Sequence, residues 1–117
     1  MVFAVGYLLF VVLLGDFYAA NGGSATGVMR DPQIVWAGAV SALAYAALIL
    51  YALRANVASL NVTTGAKVGE TVGFLLWLSA DFTIYSITNM NNLTVTVLDP
   101  FVEAAHGGTA GAVLAVL

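Results

Sequence analysis

Apolar positions in this chain come in long blocks, without the strict alternation of a half-buried strand. Met1 to Tyr18 contains Asp16 as its only charged side chain, and Gln33 to Leu53 runs 21 residues with none. Thr71 to Thr88 forms a third block and the stretch 97–116 a fourth, both interrupted by acids. At about 1.5 Å per residue, helices of this length reach across a ~30 Å hydrocarbon layer. The segments between them are polar. Asn21 to Pro32, NGGSATGVMRDP, is rich in turn formers and ends in a proline suited to a helix's first turn. Ala55 to Glu70, ANVASLNVTTGAKVGE, lacks a clear apolar period and reads as an exposed loop. The pattern predicts an all-α chain: one domain over residues 1–117, folded as an integral membrane bundle of four transmembrane helices at roughly 2–19, 33–53, 71–88 and 97–116.

Composition points the same way. Of 117 residues, 62% are apolar and 8% charged, with a mean hydropathy of +0.99, whereas a soluble domain carries about 25% charged residues. Three basic residues against six acidic ones give no polybasic patch, which removes nucleic acid as a partner. The absence of cysteine removes thiol nucleophiles, thiolate metal sites and disulfides. No basic segment precedes the first apolar block, so it reads as a retained helix and not as a cleaved leader. Four spans would put both termini on one side with Arg54 and Lys67, against Arg30 on the other. The basic-residue bias then favours a bacterial inner membrane with both termini cytoplasmic, surrounded by membrane lipids. Trp36, Trp77 and the five tyrosines include candidate interfacial anchors. The Asn-x-Thr triplets at Asn61 and Asn92 read as chance matches to a glycosylation signal.

Acids inside apolar blocks carry the candidate chemistry, because a charge at a bilayer centre costs about 2.5 to 3.5 kcal/mol. Asp81, Tyr85 and Thr88 are spaced i, i+4, i+7, and so are Asp99, Glu103 and His106; each set falls on one helical stripe. With Asp16, they are expected to turn toward a shared interior as buried polar or proton-exchanging groups. A plainer reading stands beside this one: Asp99 as an N-cap, Pro100 at the first helical position and Glu103 in the first turn, marking a helix entrance, with Asp16 an interfacial residue at a helix end. Small residues supply a packing signal. Ala104, Gly107, Gly108 and Gly111 on the last helix, and Gly38, Ala42 and Ala46 on the second, are spaced for close helix contact.

Gly73, Trp77 and the run Asp81-Phe82-Thr83, followed by Val95-Thr96-Val97-Leu98-Asp99, resemble the two motifs of a family of small predicted bacterial membrane proteins, the domain of unknown function 2177. Asp16, Pro32, Trp36 and Tyr45 are compatible with that family's first two helices. Ala80 and Ile84 depart from its tyrosine and asparagine, and the Phe101 to Glu103 region departs from its tryptophan-glycine pair. The resemblance implies a divergent four-helix membrane protein with paired aspartates and brings no established activity.

Three functions fit these observations. The first is a non-enzymatic accessory or assembly subunit of a larger membrane complex, with other membrane protein subunits as partners and no cofactor. The second is a proton-linked carrier or channel for a small solute that uses the carboxylates. The third is metal or macrocycle binding, haem or a chlorophyll-type pigment, through Glu103 and His106, which share one helical face. No catalytic set is present: the glycine pairs Gly22-Gly23 and Gly107-Gly108 match no phosphate-binding loop.

Overall fold

The computed structural model describes the backbone of residues 1–28, 32, 35–87 and 89–117, and the side chains of these residues except 2, 36–38, 40, 41, 44, 56, 83, 86 and 87. Arg30 and Thr88, and the side chains of Trp36 and Gly38, lie outside that set. Among the described residues, five α-helices run in chain order: α1 (Val2–Tyr7), α2 (Gly15–Ala20), α3 (Val35–Leu53), α4 (Val62–Ile87) and α5 (Leu93–Leu114). A π-helical segment, Leu8–Leu13, joins α1 to α2, and a 3-10 segment, Arg54–Ser59, follows α3.

The four-span expectation does not hold: among the described residues, no helix is long and apolar enough to cross a membrane. That finding overturns the transmembrane bundle, the inner-membrane setting and the orientation built on it. The first block breaks into three six-residue pieces where a continuous span was expected. The third helix gains its length from polar sequence, so that Lys67, Glu70 and Asp81 all fall on α4. The fourth intersperses its apolar residues with Asp99, Glu103, His106, threonines and glycines.

Helix boundaries move for local reasons. Asn61 accepts a hydrogen bond at Oδ1 from the Thr64 amide (3.0 Å), and Asn92 accepts one from the Val95 amide (2.9 Å). Both asparagines therefore act as N-caps, satisfying an amide that the first helical turn leaves without a partner. The two Asn-x-Thr triplets thus have a structural role. Capping at Asn61 starts α4 nine residues before the expected Thr71 and converts most of the presumed loop into helix. Capping at Asn92 starts α5 at Leu93, so Pro100 lies inside the helix and Asp99 is not its N-cap.

α4 and α5 form an antiparallel hairpin in backbone contact. A Cβ added at Gly69 would lie 2.6 Å from the Gly107 carbonyl carbon, one at Gly73 would lie 2.9 Å from that of Glu103, and one at Gly111 would lie 3.0 Å from that of Gly65. Gly65, Gly69 and Gly73 thus form one seam, facing Gly111, Gly107 and the Glu103 backbone in turn. α3 packs on this hairpin through Ile49 and Leu53, which with Ala110 form the buried apolar cluster; Ala42, Tyr45, Ala46, Val68, Val72 and Leu114 surround it. Gly107, Gly108 and Gly111 lie against α4, Ala42 and Ala46 lie half-buried against the apolar cluster, and Ala104 is half-buried. In the α4 counterpart of this stripe, Gly65 and Gly69 fall in the stretch expected to be loop and Gly73 in the expected third helix.

The chain after α2 is tied to the α4–α5 turn. Gly23 donates its amide to the Met90 carbonyl (2.9 Å), Ala25 to that of Asn89 (3.2 Å), and Asn89 Nδ2 donates to Ser24 Oγ (2.9 Å). A side chain at Gly23 would meet the Met90 carbonyl carbon at 2.7 Å, so this approach requires glycine.

Candidate functional site

Polar side chains from four elements meet beside the glycine seam. Asp81 on α4 is 3% exposed; Asp99, Glu103 and His106 on α5 are 8%, 5% and 7% exposed. Their i, i+4, i+7 spacing places the α5 trio on the face that looks at α4 and the amino-terminal arm. The Tyr18 hydroxyl, from α2, donates to Asp99 Oδ1. Tyr45 reaches in from α3.

Burial first, then hydrogen bonding toward Asp99 and the nearby Asp99 and Glu103 charges, push the Asp81 carboxyl up to about 7 from 3.8. Asp81 Oδ2 has no hydrogen-bond partner among the described residues, nor do the buried Tyr45 hydroxyl and Trp77 Nε1. Burial is also the first cause holding both phenols well above the tyrosine range. For Tyr18 the bond to Asp99 and the carboxylate charges add to it, and for Tyr45 the Glu103 charge does. Both hydroxyls therefore stay protonated donors throughout the physiological range.

Glu103 and His106 form the second half of the site. Glu103 Oε2 and His106 Nδ1 lie 3.1 Å apart. Burial raises the Glu103 carboxyl, the His106 contact opposes that shift, and the Asp99 charge adds to it. Aromatic rings enclose the imidazole: Phe10 stands edge-on with ring centroids 5.9 Å apart, and Tyr45 at 5.4 Å. Gly6 completes the enclosure, since a Cβ there would lie 3.3 Å from His106 Cε1. Among the described residues, no group of three His, Asp or Glu side chains is placed to hold a metal ion.

Two expected members lie elsewhere. Asp16 is exposed in the first turn of α2, where its charge complements the helix dipole, and Tyr85 is 41% exposed, one turn beyond the point where α4 leaves the cluster. Sequence reading missed Tyr18, although Asp16-Phe17-Tyr18 sits at the end of the first apolar block. From sequence, Tyr45 is a position compatible with the family resemblance and, with the other tyrosines, a candidate interfacial anchor. The signal available for both was a tyrosine inside an apolar run, where its hydroxyl needs a partner. Comparison with known proteins finds no matching family, no curated relative and no solved structure of similar fold.

Proposed function

We propose that this chain is a non-enzymatic accessory subunit that packs its apolar flanks against other protein subunits. One observation carries this reading: the molecule leaves too much apolar surface uncovered. Its accessible surface is 7363 Å², whereas a compact monomer of 12.1 kDa exposes about 6,000 Å². Large apolar side chains contribute to that surface. Tyr7, Leu8, Val12 and Leu13 on the amino-terminal arm, Leu43 and Tyr51 on α3, and Phe101 on α5 are all about half exposed or more. Large apolar side chains exposed on the arm, α3 and α5 favour association.

The polar cluster supports a structural role for its residues. Asp81, Asp99, Glu103 and His106 are buried against one another and against tyrosines. Gentle extraction followed by native mass spectrometry tests the reading, and stable co-purification of defined subunits is the expected result. A chain that is always recovered as a free, monodisperse monomer refutes it.

A further inference from the structure

We infer that a groove between α3 and α4 binds a free medium-chain carboxylate, with the head on Lys67 and the alkyl chain along Val68 and Val72. The groove holds about 400 Å³ and is lined by Ala52 of α3 and by Thr64, Lys67, Val68, Thr71 and Val72 of α4. Small-molecule sites run from about 300 to 1,000 Å³, so the space suits one small guest. The α4 residues recur at i, i+3, i+4, i+7 and i+8, which is a single helical face. Two chemistries share that face. Val68 and Val72 are half-buried against the Ile49, Leu53 and Ala110 cluster and form an apolar floor, whereas Lys67 and Thr71 are exposed at the rim.

Lys67 sets the sign of the guest's charge. Among the described residues, no carboxylate pairs with its ammonium. Glu70, three residues on, is turned toward α5 instead: a Cβ at Gly108 would lie 2.6 Å from Glu70 Cγ and 3.3 Å from Oε1. The Thr71 hydroxyl gives its proton to the Lys67 carbonyl (2.9 Å), which leaves Lys67 and Thr64 as the groove's donors. Thr64 stands in the first turn of α4, where the helix dipole is positive. The anionic head therefore lies toward the start of α4 and the tail toward Val72. From Thr64 to Val72 the helix rises about 12 Å, a length that a medium-chain tail can follow. A neutral alkyl chain would leave Lys67 unused, a small anion would leave the floor bare, and a cation would meet like charge. This binding does not depend on the accessory-subunit role.

Amide NMR of the chain titrated with octanoate, kept below its micellar concentration, tests the inference. Saturable shift changes centred on residues 64–72 are expected. Octanol and acetate should each bind roughly tenfold more weakly than octanoate. Lys67→Gln, at an exposed position away from the core, should weaken octanoate binding by about tenfold and leave octanol unaffected. Ala52→Phe, which fills the groove, should weaken both. The inference is overturned if octanoate gives no saturable shifts at 64–72, if octanol binds as tightly as octanoate, or if Lys67→Gln binds octanoate as the wild-type chain does. If Ala52→Phe fails to fold, the Lys67→Gln comparison decides.

Discussion

Replacing Gly69 by alanine sets two opposing effects against each other at one site. Alanine is favoured over glycine in a helix interior by about 1 kcal/mol, so propensity alone predicts stabilisation. The new Cβ, however, would sit 2.6 Å from the Gly107 carbonyl carbon, and comfortable carbon–carbon contact begins at about 3.5 Å. α4 and α5 must part by roughly 1 Å at the crossing, which also loosens the contacts of Gly65 and Gly73 on either side. Overpacking of this kind costs about 1–3 kcal/mol where one side chain can adjust, and the upper end applies here because the obstacle is backbone. The net expectation is destabilisation of about 1–2 kcal/mol, a fall in Tm of several degrees. Gly15→Ala is the matched control: its Cβ would meet nothing closer than the Phe10 carbonyl oxygen at 3.7 Å, an ordinary contact. That variant should be as stable as wild type or slightly more so. Denaturation followed by circular dichroism reads both. If Gly69→Ala is no less stable than Gly15→Ala, the seam is not the tight contact described.

Further expectations concern the caps and the buried acids. Asn92→Ala removes the acceptor for the Val95 amide and should cost about 1 kcal/mol in denaturant unfolding, with Asn61→Ala behaving alike at α4. Asp81 binds its proton more tightly in the folded than in the unfolded chain. Its contribution is therefore complete below about pH 4 and is lost as pH rises to about 7, a change of about 2 kcal/mol after allowing for solvent relaxation. Unfolding free energies measured across that interval should show the fall in wild type and a flatter profile in Asp81→Asn. His106→Ala leaves Glu103 buried without its partner and opens a void between Phe10 and Tyr45, so destabilisation of about 2–4 kcal/mol is expected by the same unfolding assay.

Much of the local chemistry was legible in the chain, and its limits have physical causes. The helical class followed from block length, and the spacing of Asp99, Glu103 and His106 placed them on one face, which is where the structure has them. Asp81 joins them because α4 pairs with α5 and Tyr18 reaches in from α2, a relation between elements that no local period encodes. The start of α4 was missed because its first turns carry Thr63, Thr64, Lys67 and Glu70, giving no apolar rhythm. Its true signals were an asparagine cap and glycines four apart, the latter needing the α5 register for their meaning. Interruptions within the apolar blocks set the limit on the transmembrane expectation: the π segment divides the first, and acids, glycines and threonines dilute the later two.

The glycine seam also constrains how this protein can change over generations. When two bulky residues meet, enlargement of one is offset by shrinkage of its neighbour, and a lineage drifts through paired replacements. At Gly69 and Gly107 neither partner has anything left to give up, because hydrogen is already the smallest side chain. Damage on one helix finds no cure on the other, so the only way back is reversion at the same codon.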